Sequence, residues 1–138
     1  MACSECGARV VTFAVPPSYR EYAPDDASTV AFCTRCLTVD ALEPDEYESN
    51  GETTDSPPFD RVSDAFPTDP DRAIPLALAI GLCSSLATNR DAIESLLRDL
   101  ERAGVDPLLV VERLEADPSV EPAVDLGRRA HQLEQLLY

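Results

Sequence analysis

Cys3-Ser4-Glu5-Cys6-Gly7 and Cys33-Thr34-Arg35-Cys36-Leu37 are the two stretches whose reading decides how this chain folds. Two residues between cysteines let both sulfurs of a pair turn inward on one tight knuckle, while backbone N–H groups of the turn temper the thiolate charge. Two such knuckles brought together surround one cation with four sulfurs, the usual tetrahedral arrangement for structural zinc. Cys3, Cys6, Cys33 and Cys36 are therefore the candidate ligands of a single structural Zn2+. Gly7 suits the place after a knuckle, because that residue often needs φ > 0. Leu37 stands at the same place in the second pair, so that turn is expected to depart from the usual form. The separation of Cys6 from Cys33 exceeds the roughly 15 to 20 residues of common zinc motifs, and a hairpin with a long loop absorbs the excess.

Between the knuckles, residues 9–15 and 28–32 are β-branched and aromatic, with Val11, Phe13 and Val15 on one face of the first run. They predict a two-stranded hairpin. Val15-Pro16-Pro17 ends its first strand, and the stretch from Ser18 to Tyr22 fits one helical turn capped by Ser18. Tyr19 and Tyr22 are expected to cover a small core. Residues 1–39 thus read as a zinc ribbon too small to bury a sizeable interior without a metal.

Residues 40–70 hold ten acids against one Arg and are rich in Pro, Ser, Thr and Asn. Such a composition cannot offset its ordering entropy by burial, so the segment reads as a flexible acidic linker. Phe59 to Phe66 is the exception, with two rings that suit docking on a neighbouring unit. From residue 71 onward the spacing becomes helical and predicts a small bundle of about four helices over 71–138. The first covers 73–87, with Ala77, Gly81 and Ser85 forming a stripe where another helix can approach. The second follows the Thr88-Asn89-Arg90-Asp91 cap and carries Ile93, Leu96, Leu97 and Leu100 inward until Gly104. Asp106 caps the third, Pro107 occupies its first position, and Leu108, Val111 and Leu114 face inward before Pro118 ends it. The fourth spans 123–137, with Leu126, Ala130, Leu133 and Leu137 on one stripe. The fold class is α+β.

Acidic residues outnumber basic ones 26 to 11, giving a net charge of −15, and every basic residue is Arg. A surface that trades Lys for Asp and Glu stays soluble in concentrated salt, so a high-salt cytosol is the expected setting. No secretory signal opens the chain and its longest apolar run is too short to span a bilayer, which predicts a cytoplasmic protein with no membrane partner. In a reducing cytosol the paired cysteines favour metal over disulfides. Cys83 sits in an apolar helix and is expected as core. His131 is the only histidine and is expected at a helix surface. No phosphate loop, nucleophile elbow or HExxH occurs, and four cysteines spent on one metal leave it no open position, so a non-catalytic protein is expected. Arg9 and Arg35 are the candidate contact residues, since they help leave residues 1–39 near neutral. They support a nucleic-acid-binding or transcription-related alternative, which the acidic segment disfavours by repelling phosphates.

The opening Cys3-Ser4-Glu5-Cys6-Gly7, followed by Val11-Thr12-Phe13-Ala14-Val15-Pro16 and Phe32-Cys33-Thr34-Arg35-Cys36-Leu37, resembles the haloarchaeal zinc-ribbon proteins known as small CPxCG-related zinc finger proteins. The resemblance covers residues 1–37. Ser4 and Thr34 stand where that class has proline. It implies a zinc-binding cytoplasmic protein and supplies no substrate. Two knuckles on a small β unit also resemble rubredoxin, and four sulfurs suit iron as well as zinc, which leaves an iron electron carrier as a further alternative. The missing second glycine and the absence of Trp favour zinc. The leading expectation is a zinc-stabilised protein-interaction or regulatory module, whose ribbon a chelator unfolds while sparing the helices.

Overall fold

The computed structural model describes residues 3, 6–43, 59–85, 88–122 and 125–137. Strand β1 (Val10–Ala14) pairs antiparallel with β2 (Thr29–Cys33), from Val10 opposite Cys33 to Ala14 opposite Thr29. Alternation along these strands sends Val11, Phe13, Val30 and Phe32 into the main core, and Val10, Ala31 and Cys33 to the opposite face. A third strand, β3 (Val39–Ala41), lies on the free edge of β2, with Phe32 opposite Val39 and Val30 opposite Ala41. The expected two-stranded hairpin is therefore corrected to a three-stranded sheet. Val39-Asp40-Ala41 carries no strand signal of its own; the reversal at the second cysteine pair delivers it to an edge whose N–H and C=O groups need partners.

Proline shapes the connection between β1 and β2. Residues Pro17–Tyr22 form a 3-10 helix that follows Pro16 and has no side-chain cap, so Ser18 lies inside the turn. Tyr19 and Tyr22 pack their rings 6.2 Å apart against the main core, and the Tyr22 hydroxyl lies 3.2 Å from Ser95 Oγ.

Four α-helices follow among the described residues: α1 (Pro70–Leu82), α2 (Arg90–Arg102), α3 (Pro107–Ala116) and α4 (Leu126–Leu137). Helix α1 begins before the expected Ala73, because the Asp69 carboxylate accepts the Asp71 N–H. Gly81, in the middle of the expected stripe, meets β3: a Cβ on it would stand 2.7 Å from Val39 Cγ2. The predicted inward residues Ile93, Leu96, Leu97 and Leu100 of α2 are all buried. Gly104, at φ +87, closes that helix, with its own N–H bonded to Glu101 O and that of Val105 to Leu100 O. Asp106 caps α3 through the Leu109 N–H and Pro107 opens it, as the sequence predicts. Leu126, Ala130 and Leu133 of α4 are buried.

The sheet and the helices meet in one apolar core instead of packing as separate units. Phe59 and Phe66 join them: Phe59 lies 5.3 Å from the Phe13 ring, Phe66 lies 5.6 Å from Phe32, and the two stack at 5.9 Å. Ser63 donates to Asp117 Oδ2 at 2.6 Å, tying the same segment to the end of α3. Both ends of the expected linker are thus part of the folded body, Asp40 to Leu42 beside β2 and residues 59–70 against the helices. Its middle, 44–58, lies outside the described residues. Among the described residues, no helix is long and apolar enough to cross a membrane.

Candidate metal centre

The strand register positions the four cysteines. Cys33 ends β2 opposite Val10, the turn after it carries Cys36, and the chain before β1 brings Cys3 and Cys6 alongside. Their sulfurs all lie within 4.8 Å of one another. The closest pairs link one knuckle to the other: Cys3 to Cys36 at 3.6 Å and Cys6 to Cys33 at 3.5 Å. A regular tetrahedron of sulfurs at about 2.3 Å from zinc has edges of about 3.8 Å. The donor set and its spacing therefore fit a four-coordinate metal ion. Cys3, Cys33 and Cys36 are buried and Cys6 is exposed.

The described residues of the two turns share two backbone features. In each, the N–H of the first cysteine donates to the carbonyl five residues on, Cys3 to Ala8 at 2.7 Å and Cys33 to Thr38 at 3.0 Å. In each, the residue after the second cysteine is left-handed, Gly7 at φ +74 and Leu37 at φ +62. The expectation that the second turn departs from the usual form is corrected at this point: the backbone is kept and Leu37 bears the strain. Its side chain is 3% exposed and belongs to the main core, so burial offsets a left-handed cost of about 1–2 kcal/mol.

Polar groups converge on the sulfurs of the second turn. The N–H groups of Arg35 and Cys36 each stand 3.4 Å from Cys33 Sγ, and Thr38 Oγ1 stands 2.9 Å from Cys36 Sγ. Burial nevertheless pushes the Cys33 thiol up to about 12, against the lowering effect of those two N–H groups. Burial raises Cys36 as well, opposed by the Thr38 hydroxyl and N–H. A cation held by these sulfurs would have to displace their protons, so its binding would release protons and weaken as pH falls.

The two candidate contact residues have different surroundings. Arg35 is exposed, yet its guanidinium lies 2.8 Å from Glu121 Oε1 and its carbonyl accepts the Glu121 N–H at 2.8 Å. Arg9 is exposed, and its carbonyl accepts both the N–H and the hydroxyl of Thr34. Cys83 is buried, as expected, among Leu76, Ile80, Leu97 and Val111, and burial pushes its thiol up to about 11. His131 is exposed on α4. Sequence reasoning missed Leu37 as an anchor and Thr38 as a neighbour of two sulfurs. Only the offset of Thr38 from Cys36, two residues, carried a signal, and it becomes legible once the turn is known to fold back.

Among known proteins, the chain matches the family of unknown function DUF6276 over residues 2–137. No curated protein and no solved structure matches it.

Proposed function

The chain belongs to the DUF6276 family, and we propose that it is a non-catalytic protein in which Cys3, Cys6, Cys33 and Cys36 hold one structural Zn2+. The convergence of four sulfurs within 4.8 Å carries this reading. A closed four-sulfur site leaves no coordination position for a substrate, which suits a structural ion and an interaction or regulatory role, with another protein as the partner. Nucleic acid fits less well. Arg35 already has Glu121 as its counter-ion, and a net charge of −15 repels a phosphate backbone. The cytoplasm, with high salt, is the setting that the Lys-free acidic composition favours.

Elemental analysis and thermal unfolding of the full chain test the proposal. One zinc per chain is expected, in a colourless protein, where iron would give a visible charge-transfer spectrum. Chelation should lower the melting temperature by roughly 10 °C, because a ligand at a thousand times its Kd adds about 4 kcal/mol and each kcal/mol moves a domain of this size by a few degrees. Zinc should restore it. A chain that carries no stoichiometric metal and melts unchanged in chelator would overturn the reading.

A further inference from the structure

The shared backbone features make the two knuckles comparable position by position. Counting from the second cysteine of each pair, Gly7 corresponds to Leu37 and Ala8 to Thr38. The first turn thus presents a methyl group where the second presents a hydroxyl. Thr38 Oγ1 stands 2.9 Å from Cys36 Sγ and 3.7 Å from Cys3 Sγ, so it touches one sulfur of its own knuckle and reaches toward one of the other. The residue is held in place, because its carbonyl accepts the Cys33 N–H at 3.0 Å and β3 starts at the next residue. Cys6, the sulfur at the equivalent place in the first knuckle, has only a methyl two residues on and is the exposed member of the four.

Resting on the reading that these sulfurs bind a metal, we propose that Thr38 is a positioning residue of the centre: its hydroxyl donates to the Cys36 sulfur and makes the second knuckle the firmer half of the site. Four thiolates around a divalent cation leave an excess of two negative charges. Each N–H or O–H aimed at a sulfur draws some of that charge away. Cys36 has the hydroxyl, whereas Cys6, at the equivalent place, is exposed to solvent. The Cys6 sulfur is thereby the more electron-rich and more accessible of the two, and metal exchange opens at the first knuckle. Charge, not shape, is the quantity Thr38 controls.

Thr38→Val and Thr38→Ser in the full chain separate these effects, read by Zn2+ competition against a chromophoric chelator and by the sulfur-to-metal charge-transfer band of the Co2+ form. Thr38→Ser should match wild type. Thr38→Val should bind zinc about tenfold more weakly, as loss of an outer hydrogen bond to a ligand typically does, and its Co2+ band should move to lower energy. Equal affinity and equal bands in Thr38→Val overturn the inference and leave the metal site standing. Equal losses in both variants also overturn it, since packing would then be the cause. If Thr38→Val fails to fold, Ala8→Ser decides: a hydroxyl added to the first knuckle should move the band to higher energy, and an unmoved band overturns the inference. A wild-type chain that takes up neither ion overturns this inference together with the metal assignment.

Discussion

The two cysteine turns share a closing hydrogen bond and a left-handed residue after the second cysteine, and their described residues differ in what surrounds them. Around the first, a Cβ on Gly7 would meet nothing within 4 Å, and Cys6 is exposed. The second is fastened on three sides. Leu37 is buried in the main core, Glu121 grips Arg35 through both backbone and side chain, and Thr34 bonds the Arg9 carbonyl beside β1. One half of the site is thus built by the protein core. The other half leaves Cys6 exposed, and under the proposed reading the ion is what fastens it. This changes what chelation should do: β1 and β2 share a core with the helices, so metal loss loosens the first turn and lowers the stability of the whole body, instead of unfolding residues 1–37 and sparing the rest.

The largest effect expected from breaking this asymmetry lies at Leu37. Leu37→Ala removes a buried side chain, which costs about 2–5 kcal/mol, and it keeps the left-handed strain. Denaturant midpoints should show that loss with zinc and equally without it, because the anchor does not need the ion. Leu37→Gly should be milder than Leu37→Ala by up to about 1 kcal/mol, as glycine adopts the φ of +62 without a Cβ clash. An alanine variant as stable as wild type would mean that the second turn is no better anchored than the first.

The contrast between the turns also explains what could be read in advance. Cysteine spacing announced the four-sulfur cluster because knuckle geometry is local: two residues between sulfurs and one left-handed residue after them. Asp106 and Pro107 announced the start of α3 for the same reason, since a cap is settled within four residues. Strand β3 was not legible, and the docking of Phe59 and Phe66 was legible only as two rings suited to some neighbouring unit, because the partners lie outside each local pattern. Val39 finds Phe32 through a turn, and Phe59 finds Phe13 across 46 positions. Acidic composition hid how much of the segment folds, since 40–70 reads as unfolded on average while its two rings near the end are core. The burden borne by Leu37 was visible only as a missing glycine, and the core that compensates for it lies outside the motif.

Smaller effects are expected where strain or charge acts alone. Gly7→Ala meets open space, so only its φ of +74 penalises the substitution, by about 1–2 kcal/mol. Under the proposed zinc binding, that cost should appear as roughly tenfold weaker zinc affinity, the fold-change equivalent of 1.4 kcal/mol, with little change in the metal-free midpoint. Chelator competition and unfolding without zinc separate the two. Arg35→Ala should be the smallest perturbation. Its partner is exposed, ion pairs of that kind contribute little, and Glu121 still donates its N–H to the carbonyl of residue 35 whatever side chain stands there. The midpoint shift should be smaller than that of the Gly7 variant and should vanish in about 1 M salt, where screening acts within roughly 3 Å. A shift that persisted in salt would show that the guanidinium contributes through packing or through the buried sulfurs beside it, and the second turn would owe its firmness to charge as well as to Leu37.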